Sequence, residues 1–342
     1  MEAEAAKRAL AEQGAELPSW SALVEGAQPP APEEGLDAVD FDRGWQCHAC
    51  SFVEHYFREH VVLPLCDKPE RALLHSQSSA AGCSWLRAIP SEQAMRLAPL
   101  RFQVAMRRRL RWPLPLSGGT CCKGCKQQLD SKGDRAAACG TSGRLKLRSK
   151  PIEKTWARVL REAKAGVRER VLLRDTPVPH IDPADGRHIE VVATGLPMFH
   201  GVPIALDATM VSPLHADGTA WAKTDTHPGH SFARARKDKG GTYKELLESN
   251  TLRLLVAGIE TGGRMSKECM ELLEVAAATR AQSEPKFLRR QAARGWKQRW
   301  TCLLAVVGQN ALAAILVDDG ARLLDAADCP APAFADVWLD AE

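Results

Sequence analysis

From Trp300 to Val317 the chain runs for 18 residues without a charged side chain, and no other segment limits the fold as strongly. A run of that length either crosses a bilayer or is enclosed by protein. Gln309 and Asn310 sit near its centre, and Arg299 and Asp318 fence it. Two amides in the middle favour protein surroundings, so the expectation is a buried helix and no membrane partner. With 45% apolar residues in 342, a true hydrophobic core is available, and disordered, collagenous and small disulfide-stapled classes are excluded.

The N-terminus lacks a basic segment followed by an apolar run, so no secretory signal is expected. Eleven cysteines at irregular spacings do not form a secreted disulfide framework; reduced thiols in a nuclear or cytoplasmic setting follow.

The net charge of +4 conceals a segregation. Between Arg101 and Arg170 there are 19 Lys and Arg against 5 Asp and Glu, a local +14, which leaves −10 for the other 272 residues. Arg107, Arg108, Arg109 and Arg111, with Lys146 and Arg148 further on, are the candidate nucleic-acid contacts, DNA or RNA being the natural polyanionic partner. The alternative from charge alone is a solvated basic face balanced by the acidic remainder.

Residues 1–44 form an acidic segment expected to be flexible, with one short helix before a Pro29-Pro30-Ala31-Pro32 break. Residues 45–119 read as helical, with breaks at Pro64 and Pro99 and with small residues and breakers over Ala80 to Pro90. Residues 120–150 read as a compact Cys-rich basic loop. From Ile152 to Val171 the spacing of Ile152, Trp156, Val159, Leu160, Ala163 and Val167 predicts an amphipathic helix starting behind Pro151, with Glu153, Lys154, Arg158 and Arg161 on its polar face. Two apolar runs, Ile189 to Ala193 and Pro203 to Asp207, predict a hairpin. Helix over Ser231 to Ser249, a buried strand over Leu252 to Ile259, and helices over Ser266 to Arg280 and Phe287 to Val317 follow. The order is helix, strand, strand, helix, strand, helix, an α/β class.

Three constellations carry chemistry. Cys122-x-x-Cys125 with Cys139 offers thiolates at zinc spacing, but the loop has no His, so a metal-free basic loop is preferred to a zinc site there. Cys47, Cys50, His55 and His60 also have knuckle-like spacing, yet Phe52, Val53, Tyr56 and Phe57 make that stretch a helix with incidental ligand types. On the hairpin, antiparallel pairing brings Glu190 and Asp207 to one end of the sheet. Two carboxylates placed together hold Mg²⁺ or Mn²⁺, which polarises a phosphodiester, and Lys237 or Lys239 on the following helix is placed to steady developing charge.

Several of these pieces occur in an order that resembles the C-terminal region of non-LTR retrotransposon proteins. Upstream are Ser76-Gln77-Ser78, Cys83-Ser84-Trp85-Leu86-x-x-Ile89-Pro90 and Arg107-Arg108-Arg109-Leu110-x-x-Pro113-Leu114-Pro115-Leu116, followed by the Cys loop. Downstream are Asp185-Gly186-Arg187-x-x-Glu190, Ala205-x-Asp207-x-Thr209, Lys239-x-x-Thr242-Tyr243 and Glu260-x-Gly262-Gly263-Arg264. The resemblance spans about Ser76 to Arg264 and lies in the combination rather than in any one piece. It implies a restriction-endonuclease-like PD-D/E-XK core over 151–284, flanked by helical N- and C-terminal segments, the latter a helix and tail over 285–342. The implied activity is DNA nicking with a divalent metal, Mg or Mn.

Carried over, Glu190 and Asp207 are the catalytic acidic ligands and Glu153 or Glu162 the auxiliary acid. Thr209 occupies the position of the superfamily lysine, and Lys239 takes its displaced place. The sequence departs from the pattern at Glu190, where Asp is usual, at Asp134 and Arg135, where the zinc motif has His, and in having no polymerase tract of adjacent aspartates upstream. The chain is therefore expected to be a truncated copy of such a region. A catalytically inactive nucleic-acid-binding remnant is the alternative function.

Overall fold

The structure is a computed structural model that describes residues 2–12, 14, 17–28, 44–114, 125–247 and 249–317. The Pro29 to Pro32 break, Cys121, Cys122 and the tail after Val317 lie outside the described residues. The chain divides into two compact units, Met1–Arg71 and Ala72–Glu342.

In the first unit, α1 (Glu2–Glu12) and α2 (Trp20–Val24) precede α3 (Gly44–Phe57). Trp45 on α3 donates its indole N–H to the Ala27 carbonyl at 2.8 Å. A π-helical turn (Arg58–Val62) and the short α4 (Leu63–Leu65) continue α3 through Pro64, so the break expected at that proline comes only after Leu65. The Cys47 to His60 stretch is thus helical, and His60 is held by the Tyr56 carbonyl at 3.0 Å and stacked on the Tyr56 ring.

The second unit takes up α5 (Lys68–Gln77) from Ala72 on and continues through α6 (Ala80–Arg87), α7 (Pro99–Arg109), α8 (Asp134–Ala138) and α9 (Arg144–Glu162). Next come β1 (Gly166–Leu172), β2 (His188–Thr194), β3 (Ile204–Val211), α10 (Ser231–Thr242), β4 (Arg253–Glu260), α11 (Lys267–Ala281) and α12 (Arg289–Leu316). The sheet order is β1-β2-β3-β4. β1, β2 and β3 pair antiparallel, and β4 joins β3 in parallel through the α10 crossover. A mixed four-stranded sheet with helices on both sides bears out the α/β class.

Helix α9 begins earlier and ends sooner than its apolar periodicity suggests. It starts after Gly143 (φ +72°), tolerates Pro151 within its length, and stops where Lys164 adopts φ +67°. Val167 belongs instead to the edge strand β1, whose exposed charges at Arg168, Glu169 and Arg170 mask its alternation. Ala80 to Pro90 is largely helix as well, because Ser79 caps α6 by accepting from the Gly82 amide at 3.0 Å. The Cys-rich segment contains α8 rather than loop alone, since the Asp130 carboxylate accepts from the Asp134 and Arg135 amides and caps it.

The apolar run of α12 is enclosed. It is the one helix among the described residues long and apolar enough to cross a membrane, and its apolar window is entirely buried in the fold against α9, α11, α6 and α7. Its amides meet protein partners: Asn310 accepts from Arg101 at 3.0 Å, and Gln309 donates to the Thr261 carbonyl at 3.3 Å. The main core lies between this helical layer and one sheet face. A smaller one on the other face gathers Val192, Ala205, Tyr243, Leu246 and Val256.

Arg158 is not on a solvated face. It donates to Glu162 and to Glu92, both at 2.7 Å, while Arg299 reaches Glu92 at 2.9 Å and the Trp300 indole donates to Glu162 at 2.7 Å. The side chains of Arg158, Glu162 and Arg299 are 5%, 3% and 2% exposed. This network ties α9 to α12 and removes Glu162 from the candidate acids, since both its oxygens are engaged inside the core. Removing one member of a buried pair leaves an uncompensated charge, so Glu162→Ala should cost about 3–5 kcal/mol in denaturant unfolding. A loss below about 1 kcal/mol would contradict the network's structural role.

Candidate active site

The hairpin register determines where the acids go. Pairs Ala193↔Ile204, Val192↔Ala205 and Val191↔Leu206 extend, one residue further, to Glu190 opposite Asp207. The ladder stops before that step because the Glu190 carboxylate crosses to β3 and accepts from the Ala208 amide at 2.6 Å. Alternation on β3 turns Leu206 and Ala208 to the main core and Asp207 to the α10 side, where Ala205 lies in the smaller core.

There Lys239 on α10 donates to Asp207 Oδ2 at 2.6 Å. Glu153 on α9 comes close enough to Glu190 and Asp207 for the three carboxyls to shift one another's titration. The structure therefore brings Glu153, Glu190, Asp207 and Lys239 together from four elements. Thr209 lies further along β3, and Lys237 is exposed.

Burial and like charge act together on these acids. Burial, then Asp207, then Glu153 push Glu190 up to about 9, against the pull of the Ala208 amide and Lys239. Burial raises Asp207 while Lys239 opposes the shift, and burial followed by Asp207 raises Glu153. Asp207 Oδ1 is buried without a hydrogen-bond partner. An unsatisfied carboxylate oxygen beside two further acids is a donor set of the kind a hard divalent cation accepts. In the arrangement described, Lys239 occupies one Asp207 oxygen and the Ala208 amide one Glu190 oxygen. Among the described residues no three His, Cys, Asp or Glu side chains form a preformed metal site.

A clamp not anticipated from sequence holds the lysine helix. Arg187 pairs with Asp185 at 2.6 Å and Glu245 at 2.8 Å and donates to the Thr242 carbonyl. Tyr243 donates to the His188 carbonyl at 2.6 Å. Both contacts fasten the C-terminal end of α10 to the start of β2, which keeps Lys239 over Asp207. Asp185, Arg187, Thr242 and Tyr243 stand in two separate pieces of the resemblance, but nothing in the sequence joins those pieces, Glu245 lying 58 residues from Arg187.

The other candidates separate. Cys122 lies outside the described residues. Cys139 is buried with Thr141 Oγ1 3.2 Å from its sulfur, and Cys125 accepts from Arg135 at 3.6 Å. Asp134 accepts from Arg111 at 2.8 Å and Arg108 at 3.4 Å, so it serves as counter-ion to the arginine cluster. Arg107 donates to the Pro113 carbonyl at 2.8 Å, and Arg109 reaches the Gly82 carbonyl at 3.3 Å.

Arg148 corrects the reading of the basic window most sharply. It is 2% exposed and donates to the Ala137 carbonyl and to the Met210 carbonyl, where burial and then Arg108 push its pKa down. It joins α8 and α9 to β3 and does not present its charge to solvent. Arg108, its side chain 9% exposed, is likewise a structural group. Lys146 remains exposed. No known family model matches the chain, and no similar sequence is found among characterised proteins.

The raised acids make stability pH-dependent. The folded protein keeps a proton on Glu190 that the unfolded chain releases above its ordinary 4.5, so in chelator this group lowers stability as pH rises from about 4.5 through about 9. Glu190→Gln keeps the shape without the charge and should raise Tm above wild type at alkaline pH, the two converging in acid. Melting curves from pH 4.5 to 9 check this, and a Tm difference independent of pH would contradict it.

Proposed function

We propose that the second unit is a metal-dependent DNA-nicking domain with a restriction-endonuclease-like core, related to the endonuclease region of non-LTR retrotransposon proteins. The observation that carries this reading is the meeting of three acids and one lysine at the splayed end of a hairpin, with Asp207 Oδ1 left without a partner. Glu190 and Asp207 are the residues that would hold Mg²⁺ or Mn²⁺, with Glu153 beside them. Such an ion supplies polarisation of the phosphodiester and acidification of the attacking water.

The chain's own groups do the rest. Lys239 is held where negative charge would build on the phosphate, a role that contributes without reorganisation because the Arg187 clamp fixes its helix. Glu153, close to Glu190 and Asp207, is the carboxyl placed to accept a proton from the attacking water once it is itself deprotonated. The small core under Tyr243 and Leu246 gives Asp207 apolar surroundings, which strengthens its attraction to a cation.

Nicking of supercoiled plasmid is the direct test. Activity is expected with Mg²⁺ or Mn²⁺, absent in EDTA, and lost in Asp207→Ala and Glu190→Ala. Lys239→Ala should lower the rate by about 10²-fold or more. Cleavage that persists in EDTA contradicts the reading. A folded wild type with no activity in either metal supports the inactive, nucleic-acid-binding remnant instead.

A further inference from the structure

With many arginines of the basic window engaged inside the fold, the charge left outside has a definite place. On α9, Arg144 donates to the Ile315 carbonyl at 2.8 Å, and Arg148 and Arg158 are buried. Lys146 and Lys150 are exposed and make no ion pair among the described residues. They stand one helical turn apart, about 6 Å along the axis, on the same face. Lys150 is close enough to the active-site acid Glu153 to lower its pKa, so the row leads up to the acids.

A second basic group borders the site from the sheet. The β1–β2 register pairs Glu169 with Val191 and Val171 with Ile189, which sets Arg170 opposite Glu190. Arg170 is exposed and adopts φ +51°, a left-handed conformation that a long side chain rarely takes and that tends to mark functional sites. Pairing is broken at this step, one strand away from where the Glu190 carboxylate ends the β2–β3 ladder.

We infer that Lys146 and Lys150 on α9, with Arg170 on β1, form a phosphate-binding track that seats duplex DNA against the Glu153, Glu190 and Asp207 site. The choice of DNA rests on the nicking function proposed above; the track itself rests on exposure, unpaired charge and its place beside the acids. The arginine cluster at 107–111, anchored by Asp134 and backbone carbonyls, contributes little to binding. Contacts of this kind position the duplex without reading bases.

The test is fluorescence anisotropy of the full chain with a fluorescein-labelled DNA duplex in EDTA, so that binding is read without cleavage, across a salt series. Each phosphate neutralised contributes roughly −0.9 to the slope of log affinity on log salt. The variant Lys146→Gln/Lys150→Gln/Arg170→Gln should flatten that slope by about 0.9 per residue replaced and weaken binding by about tenfold or more near physiological salt. Arg107→Gln/Arg109→Gln should bind as wild type does. If the triple variant melts early, Lys146→Gln/Lys150→Gln alone, confined to a helix surface, should give two thirds of the slope change. Wild-type affinity in the triple variant, absence of salt-dependent binding by wild type, or tighter binding to a duplex RNA of the same length would each overturn the inference. Salt-dependent binding in EDTA without nicking in Mg²⁺ would leave the track standing and remove the catalytic function. Nicking with unaltered binding by the triple variant would do the reverse.

Discussion

Three acids held against one another in a poorly solvated corner are the feature around which the second unit is organised. Glu190 and Asp207 face each other across the hairpin, Glu153 reaches Glu190 from α9, and Lys239 supplies a single positive charge at 2.6 Å from Asp207. One ammonium does not balance three carboxylates, and burial makes the imbalance worse, so the site keeps a proton well above the usual carboxylate range. The Ala208 amide, the Arg187 clamp and the Tyr243 hydroxyl hold this corner in place against its own repulsion. Strain of that kind in a native fold is compatible with function, since acids placed for solubility would face water.

The same economy of charge governs the basic segment. Its arginines are largely internal fasteners: Arg108 and Arg111 converge on Asp134, Arg148 joins α8 to β3, and Arg158 joins α9 to α12 through Glu162. Guanidinium suits this work because its fork satisfies several acceptors at once. Lys126, Lys146, Lys150, Lys154 and Lys164, with compact and strongly hydrated heads, stay outside. Counting charge along a window therefore overstates the surface available to a polyanion, and the distinction between Arg and Lys within it says more than the sum.

The legible parts of the fold were those with a clean period. The hairpin, β4, α11 and the enclosed α12 follow directly from apolar runs and their breakers, and the antiparallel pairing of Glu190 with Asp207 was deducible once the hairpin was drawn. β1 was not, because an edge strand carrying Arg168, Glu169 and Arg170 has no apolar alternation to read and continues a helical spacing through Val167. The start of α9 was hidden by Pro151. The Ser76-Gln77-Ser78 and Glu260-x-Gly262-Gly263-Arg264 pieces gave no sign of their relation, yet Ser76 Oγ accepts from the Gly262 amide at 3.0 Å and the Ser76 carbonyl from the Arg264 amide at 2.9 Å. A Cβ on Gly262 would lie 2.5 Å from Ser76 Oγ, so this contact between distant segments demands glycine there.

If the acids form a cation site, the ion must displace the proton that Glu190 retains, and that exchange is measurable without any catalytic step. Titration calorimetry of Mn²⁺ into the full chain at pH 7.5, repeated in buffers of different ionisation enthalpy, reads the protons released per ion bound. The account predicts saturable binding that releases about one proton, with the release abolished in Glu190→Gln. Saturable binding that releases no proton, or no binding at all, would contradict it.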